Sequence, residues 1–461
     1  MISRRKFMGY SGVLLGSSFL PEVSLSKQQE GFLELRTQSV DIHLAGASEA
    51  VSRLWTYNGV TPGPEIRVRA GECVRVRLIN ELSEPTSIHW HGVRIENGMD
   101  GVSGLTQKAV EPGESFEYDF VAPDAGTYWY HAHNKSWNQV GRGLYGPLIV
   151  EEKNPPFDKD HDLTLLIDDW RLDQSGTLHV ASFGALHDWS HAGRLGNYLT
   201  VNGKSLPTYN MQQNEAYRVR LINSANARVL MLDLDKIGAK ILALDGQPLP
   251  SARRQEGPFD LAPAQRADLL IVPRIPGVVP VEIITRRGAH EIVRFEVEGS
   301  LNEPGPIPKL AKSALPEPNL DGARIVPLAM TGGAMGSGFG EMTYKGKPLT
   351  REQMRQTGQV WAFNNVANIA ASPLINAKRG ETIVVEMKND TAFPHAMHVH
   401  GYHFRILDEK NVAGDFRDTV LIHRNETVRI AFVADNPGKW LLHCHMLEHA
   451  AAGMATWFEV I

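Results

Sequence analysis

Three stretches of alternating polarity form the clearest pattern along the chain. They cover residues 73–80, 217–223 and 382–389 (CVRVRLIN, YRVRLIN and TIVVEMKN), and each ends on an asparagine. Alternation with a period of two places apolar side chains on one face of a β-strand and polar side chains on the other. A turn containing Asn or Gly precedes each stretch, so each is predicted to be a strand that follows a turn.

The three stretches belong to a longer unit that recurs roughly every 150 residues. A second likeness links the first and third units, because residues 124–133 (DAGTYWYHAH) and 436–445 (NPGKWLLHCH) both run from a turn into a strand. The period is far too long for a solenoid. It predicts three tandem β-sandwich domains. The expected division is an export signal at 1–26, then domains at 27–152, 153–305 and 306–461.

The composition fits an all-β protein and excludes some partners. The 461 residues carry a formal charge of −5 with no run of like charges, so neither nucleic acid nor an anionic membrane surface is indicated. Glycine and proline are plentiful, as a turn-rich chain requires. Only two cysteines are present, which argues against a disulfide framework. Cys444 lies between two histidines, and Cys73 is expected to be a small buried side chain.

The N-terminus carries a candidate targeting signal. Residues 3–8 (SRRKFM) are similar to the twin-arginine export signal, and the apolar stretch at 9–20 is too short for a lasting membrane anchor. We therefore expect a protein that is exported folded, with cleavage near residues 24–27. It would act as a monomer in the periplasm or outside the cell.

Four short histidine motifs hold ten of the chain's 18 histidines. They are His89-Trp-His91, His131-Ala-His133, His395-Ala-Met-His398-Val-His400, and His443-Cys444-His445 followed by His449 and Met454. A His-x-His pair on a strand aims both imidazoles at one side. Four such pairs offer eight nitrogens, enough for a cluster of several metal ions. The remaining two histidines, one cysteine and one methionine are the ligand set of a blue-copper electron-transfer site.

In this order, the motifs resemble those of the multicopper oxidases, the family of laccases, bilirubin oxidases and bacterial cuprous oxidases. The resemblance implies cupredoxin-like Greek-key sandwiches and four copper ions. It assigns the type 1 ion to His395, Cys444, His449 and Met454, the type 2 ion to His89 and His398, and the type 3 pair to His91, His131, His133, His400, His443 and His445. The cluster would then lie between domains one and three, and the middle domain would be a spacer with surface or structural histidines.

The same resemblance implies an enzyme. It would oxidise a reducing substrate one electron at a time at the type 1 copper and reduce O2 to water at the three-copper cluster. Asp100, in Asn97-Gly-Met-Asp-Gly101, matches the family's proton-delivering acid, although Asp-Gly is also a common turn. Many bacterial relatives place a second acid where this chain has Ala450. Asp418 is expected to be a turn residue, with a hydrogen bond near the blue-copper loop as the alternative, and His403 is expected to lie near the ligands or at the surface.

Two substrate classes remain open, together with one alternative that is not an enzyme. A laccase-like enzyme would oxidise phenols and aromatic amines beside His395 or His449, and this is the leading hypothesis. A metal oxidase would oxidise Cu(I), and Met330, Met335, Met342 and Met354 lie where such relatives carry methionine-rich insertions. Thioethers favour Cu(I), but methionine more often fills cores. A copper-free periplasmic scaffold of the same fold is disfavoured by the complete ligand set.

Overall fold

The computed structural model describes residues 22–24, 31–44, 50–303, 305–335 and 341–461. The twin-arginine motif and the apolar stretch after it lie outside these residues, so export stays a prediction. Within the described part of the chain, no helix is long and apolar enough to cross a membrane. Strands dominate and form six sheets, two for each third of the chain.

The first sandwich consists of a five-stranded sheet in the order β1-β4-β9-β8-β6 and a four-stranded sheet in the order β3-β2-β5-β7. Its described strands are β1 (Glu22–Ser24), β2 (Leu33–Ile42), β3 (Ser52–Tyr57), β4 (Glu65–Arg69), β5 (Cys73–Asn80), β6 (Ile88–His91), β7 (Ser115–Val121), β8 (Gly126–Ala132) and β9 (Tyr145–Glu151). Strand β1 lies inside the segment that the sequence assigns to the export signal.

The middle sandwich pairs a six-stranded sheet, β11-β10-β13-β18-β15-β16, with a five-stranded sheet, β12-β20-β19-β14-β17. Its strands are β10 (Asp162–Trp170), β11 (Tyr198–Val201), β12 (Thr208–Gln212), β13 (Tyr217–Asn223), β14 (Leu230–Leu232), β15 (Lys240–Leu244), β16 (Gln247–Arg254), β17 (Phe259–Leu261), β18 (Arg266–Ile271), β19 (Gly277–Thr285) and β20 (Gly288–Glu298).

The third sandwich pairs a nine-stranded sheet, β23-β22-β25-β24-β21-β27-β32-β29-β30, with a five-stranded sheet, β26-β34-β33-β28-β31. Its described strands are β21 (Arg324–Gly332), β22 (Thr343–Tyr344), β23 (Lys347–Pro348), β24 (Trp361–Phe363), β25 (Val366–Ala367), β26 (Ile375–Ala377), β27 (Thr382–Asn389), β28 (His395–Val399), β29 (Phe404–Leu407), β30 (Ala413–Arg417), β31 (Thr419–Ile422), β32 (Thr427–Val433), β33 (Gly438–Cys444) and β34 (Ala455–Val460).

Helices are few and short among the residues that the structure describes. The α-helices are α1 (Ser136–Gln139), α2 (Leu186–Ser190), α3 (Arg351–Thr357) and α4 (Leu447–Ala451), and 3-10 turns cover Asn97–Met99, Val140–Arg142, Lys159–His161 and Val180–Ser182. Helix α3 begins with a capping box between Thr350 and Gln353. Helix α4 packs against both α1 and α2, one from each of the other sandwiches. The three sandwiches therefore meet around α4.

The predicted alternation explains which side chains reach the core. On β5, Val74, Val76 and Leu78 are buried while residues between them turn outward. Cys73 is exposed, so the expectation that it is buried is wrong. The same period of two that buries Val74 directs its neighbour to solvent. The middle sandwich has a core of its own, whereas the first and third share one continuous apolar cluster.

The three repeated strands end in the same hydrogen-bonded corner. Asn80, Asn223 and Asn389 are fully buried, and each side-chain amide donates to two or more backbone carbonyls across the following loop. Each side-chain oxygen accepts from the backbone N–H two residues further on. The repeat seen in the sequence is therefore a repeated structural unit. The domain boundaries themselves stay predictions.

We expect Asn223→Ala to destabilise the protein by about 1–3 kcal/mol, because the carbonyls of Arg228 and Leu261 lose a buried donor. Differential scanning calorimetry measures the change, with Asn210→Ala, at an exposed position on β12, as the matched control. Equal effects of the two substitutions would show that the buried corner does not stabilise the sandwich.

Candidate metal centre

Two strand pairs carry the histidine motifs and fix their mutual register. Strand β6 pairs antiparallel with β8, which sets His89 opposite His131. Strand β28 pairs antiparallel with β33, which sets His398 opposite His443. In each pair the side chains of opposite residues lie on one face of the sheet. Each sandwich thereby builds one half of a histidine cluster.

The two halves interleave between the first and third sandwiches. The rings of His89 and His400 stack with centroids 3.9 Å apart, and those of His91 and His398 with centroids 3.8 Å apart. Three groups have ring nitrogens within 4.8 Å of one another, namely His89, His398 and His400; His89, His91 and His131; and His133, His400 and His443. The ring of His445 lies 4.9 Å from that of His91. All eight predicted histidines therefore converge at this junction.

Backbone carbonyls orient the imidazoles. The Nδ1 atoms of His89, His131, His398 and His443 lie 2.8, 3.1, 2.9 and 2.9 Å from carbonyl oxygens. An Nδ1–H that donates to a carbonyl leaves the lone pair on Nε2, the usual arrangement of a metal-binding histidine. The Nε2 atoms of three of these rings are buried without a hydrogen-bond partner. Unpaired buried acceptors are costly, and a cation between them would satisfy them.

The electrostatics of the cluster favour neutral rings. Burial lowers the pKa of seven cluster histidines well below the usual value, and neighbouring rings add to the effect, for His91, His131, His133, His398, His400, His443 and His445. Neutral imidazole is the form that binds metal ions. The donor set therefore fits a cluster of metal ions.

A second site forms around Cys444. Its Sγ lies 3.6 Å from His395 Nδ1 and 3.9 Å from His449 Nδ1, and these two nitrogens are 3.1 Å apart. Burial raises the pKa of the Cys444 thiol to about 12. A bound metal cation is what deprotonates such a thiol. Met454 is fully buried, and its carbonyl accepts from the Cys444 backbone N–H at 3.0 Å.

In this second site, the Nε2 atoms of His395 and His449 point away from Cys444 and are covered by neighbouring residues. Thr391 Oγ1 lies 2.8 Å from His395 Nε2, and His449 Nε2–H donates to the His191 carbonyl at 2.6 Å. The Trp361 ring packs against both imidazoles. Both histidines are fully buried. His191 comes from the middle sandwich, so that sandwich covers the site and does more than separate the other two.

Asp100 lies against the histidine cluster and is not simply a turn residue. Its buried carboxylate is 3.2 Å from His89 Nδ1 and 3.1 Å from His400 Nδ1. Gly101 has a φ of 85°, and a Cβ there would lie 1.7 Å from the Ile88 carbonyl oxygen. Only glycine therefore allows the backbone to bring Asp100 this close to the rings. Burial raises the pKa of Asp100, although His89 opposes the shift.

Ala450 occupies the position directly after His449 where many bacterial relatives are expected to carry a second acid. Ala450 lines a cavity of about 210 Å³ that also touches His133 and His443. Glu448 is buried, but its carboxylate accepts from Asn226 of the middle sandwich at 2.8 Å. Glu448 is thus engaged with the middle sandwich.

Asp418 lies in the bend between β30 and β31, as expected of a turn residue, but its side chain also reaches the histidine cluster, which the sequence did not predict. Its carboxylate is fully buried, 3.4 Å from His91 Nε2 and 3.6 Å from His403 Nε2. Burial alone would raise the pKa of Asp418, but Arg266 beside it holds that pKa well below the usual range. No local pattern marks this residue. Only the pairing of β28 with β31, which sets His398 opposite Thr419, brings it to the cluster.

Comparisons with known proteins agree with this geometry. Residues 39–155 and 344–461 match family profiles described as multicopper oxidase. The crystal structure of a multi-copper oxidase from Pseudomonas thermotolerans is 32% identical, with a TM-score of 0.81, and the match covers 95% of this chain and 100% of that one. This chain belongs to the multicopper oxidase family.

Two further relatives support the assignment. The crystal structure of Lac15 from a marine microbial metagenome is 38% identical over 93% of this chain and 100% of that one, with a TM-score of 0.75. Multicopper oxidase MmcO of Mycobacterium tuberculosis is 28% identical over 93% of this chain and 86% of that protein. The predicted family, the all-β fold of cupredoxin-like sandwiches, the copper cofactor and the O2-dependent oxidoreductase class are confirmed. The number of copper ions and their individual ligands stay predictions.

Proposed function

We propose that this multicopper oxidase passes electrons singly from a small aromatic reductant, a phenol or an aromatic amine, to O2. The observation that carries the proposal is the position of Cys444. It belongs to the three-ligand site with His395 and His449, while its covalent neighbours His443 and His445 belong to the histidine cluster. When bound, copper supplies one-electron acceptance at the cysteine site and four-electron reduction of O2 to two waters at the cluster.

The proposal places four copper ions. His395, Cys444, His449 and Met454 would hold the type 1 ion, His89 and His398 the type 2 ion, and His91, His131, His133, His400, His443 and His445 the type 3 pair. The chain's own contribution is to present neutral, oriented imidazoles and to join the two sites through the backbone beside Cys444. No gap between separate chain segments interrupts that connection.

Access to the two sites differs. The cavity of about 210 Å³ reaches His133 and His443, so O2 and water would use it to approach the cluster. The cysteine site is covered by the His191 carbonyl. A reductant would therefore dock on the surface of α2, where His187 and Leu186 are exposed, and deliver its electron through the hydrogen bond to His449.

Methionine burial weakens the case for a metal-ion substrate. Met330, Met342 and Met354 are at most 3% exposed and belong to the shared core, so they pack and offer no port for Cu(I). Met335 alone is exposed, at 74%, and it follows Ala334, whose N–H donates to the Ser190 carbonyl. Oxidation of Cu(I) therefore remains the second candidate, resting on this single thioether beside α2.

We also propose that the enzyme works after export to the periplasm or cell exterior. The support is the Ser3-Arg4-Arg5-Lys6-Phe7 motif alone. Replacing Arg4 and Arg5 together by lysine should leave the protein in the cytoplasm, as cell fractionation would reveal.

The substrate class can be tested on one surface. We expect Leu186→Asp to raise the KM for a phenolic donor several-fold with little change in kcat, because docking loses an apolar contact. Met335→Ser is the matched control and should leave phenol oxidation unchanged. Oxygen uptake with each donor measures both. If Met335→Ser instead abolished Cu(I) oxidation and Leu186→Asp left phenol kinetics unchanged, the metal-oxidase function would be favoured.

Replacing Cys444 by serine should remove the blue absorption and stop oxidation of every donor, because thiolate-to-copper charge transfer and electron entry both need this sulfur. The cluster histidines are untouched, so about three of the four coppers should remain. Visible absorbance and copper analysis check this, with Cys73→Ser as the exposed control. Substantial blue colour in Cys444→Ser would place the type 1 site elsewhere.

Asp100→Asn tests the proton route. The amide keeps the shape of the side chain but cannot donate a carboxyl proton to the cluster. We expect full copper loading, an unchanged blue band and a turnover lower by about 10²- to 10⁴-fold, the range for losing a general acid. Glu448→Gln, a buried carboxyl facing Asn226, is the control. Normal turnover in Asp100→Asn would leave Asp100 with a structural role only.

A further inference from the structure

A buried arginine of the middle sandwich reaches the back of the histidine cluster. Arg266 begins β18 and is fully buried. Its Nη1 and Nη2 donate to the two carboxylate oxygens of Asp418 at 2.8 and 2.5 Å. Its Nε donates to the Thr127 carbonyl at 3.1 Å. One guanidinium thus binds the first and third sandwiches at once.

The carboxylate that Arg266 holds lies behind two predicted copper ligands. Asp418 Oδ1 is 3.4 Å from His91 Nε2 and 3.7 Å from His398 Nδ1, and the Asp418 carbonyl accepts from His398 Nδ1–H at 2.9 Å. His91 and His398 are the two rings that stack at 3.8 Å across the junction of the first and third sandwiches. Any displacement of Asp418 therefore acts on both rings.

A second residue of the middle sandwich holds the same segment. The Asp245 carboxylate accepts from Arg417 Nε at 2.7 Å and lies 3.7 Å from Arg266 Nη1. It is also 3.4 Å from the backbone nitrogen of Asp418. The segment before β31 is consequently tied to the middle sandwich by charged contacts at Arg417 and at Asp418.

The packing around this ion pair leaves little room for adjustment. A Cβ on Gly92, directly after His91, would lie 2.4 Å from Arg266 Nη2 and 2.5 Å from Asp418 Oδ2. The planar guanidinium fork matches both carboxylate oxygens and fixes their orientation, which a single ammonium group cannot do. The pair is therefore a geometric support for the rings and not only a neutralised charge.

We propose that Arg266 is a positioning residue of the copper cluster, acting through Asp418 to set the stacking of His91 against His398. This inference rests on the proposed function, because it assumes that the histidine cluster holds copper. The middle sandwich then takes part in shaping the O2-reducing site without contributing a ligand. A matched control exists in Arg218, which is equally buried and binds Asp268 at 2.6 Å, with the Asp268 carboxylate contacting Thr127 and Arg220.

The test compares Arg266→Lys with Arg218→Lys in the full, copper-loaded protein. We expect Arg266→Lys to keep the blue band and the rate of type 1 reduction. Its type 2 electron paramagnetic resonance spectrum should change, and reoxidation of the reduced enzyme by O2 should slow by at least tenfold. Arg218→Lys should lower the melting temperature by a similar amount and leave the type 2 spectrum and the reoxidation rate as in the wild type. Asp418→Asn, which keeps the side-chain shape, should reproduce the Arg266→Lys spectrum and serves if the lysine variant does not fold.

Crystal structures separate this inference from the proposed function. In copper-free as well as copper-loaded Arg266→Lys, the His91 and His398 rings should move apart by more than about 0.5 Å, the tolerance of a preorganised site. Unchanged stacking with a wild-type type 2 spectrum would overturn the inference, as would the same changes in Arg218→Lys. Absence of cluster copper in the wild-type enzyme would instead contradict the proposed function, and the ring separation would still decide the role of Arg266.

Discussion

The convergence of eight histidines at one junction is the constraint on which the rest of this structure depends. Neutral imidazoles buried at stacking distance leave lone pairs without partners, and protein interiors tolerate few such atoms. Each ring therefore needs a hydrogen-bond partner at the nitrogen that faces away from the cluster, so that its orientation is fixed. Carbonyl oxygens of the backbone accept from the Nδ1–H groups of four of these rings; they belong to Asp100, Ala132, Asp418 and Cys444. The backbone that carries the histidines therefore also orients their rings.

The first and third sandwiches meet this demand by sharing an apolar core. The middle sandwich joins them through a smaller apolar cluster, which includes Trp129, Trp170 and Leu447, and through buried polar contacts. Arg67, Arg218 and Arg266 are buried in ion pairs that link the middle sandwich to its neighbours. Arg220 is also buried, and it donates a hydrogen bond to Thr127 Oγ1 of the first sandwich. Buried ion pairs contribute less net stability than apolar contacts but are strict about geometry. The middle sandwich therefore contacts its neighbours through both apolar packing and buried charges, and the charged contacts include the Arg266–Asp418 pair behind the histidine cluster.

The cysteine site shows the same use of the middle sandwich. The carbonyl of His191 closes the outer edge of His449, and Phe393 packs against the His191 ring. Excluding water from a copper site lowers the rearrangement that accompanies electron transfer, but it also keeps substrates at a distance. In the proposed function, the electron enters through the hydrogen bond between His449 and the His191 carbonyl of the middle sandwich. The surface proposed to bind the reductant and the site proposed to take its electron then belong to different sandwiches.

The sequence by itself determined the family, the strand-rich class, the three repeated units and the identity of the residues that converge. These are local signals, because His-x-His spacing and alternation of polarity act within one strand. The motif that contains Asp100 is equally local, and its neighbour Gly101 lets the backbone bring the Asp100 carboxylate beside His89 and His400. The expectation for Cys73 was wrong, because alternation decides which residues share a face but leaves open which face is buried. Only the tertiary structure showed that Asp418, Arg266 and His191 contact the two sites. Each lies far along the chain from the histidine it supports and carries no local pattern, so only the register of β28 with β31 and the docking of the middle sandwich bring these side chains to the copper sites.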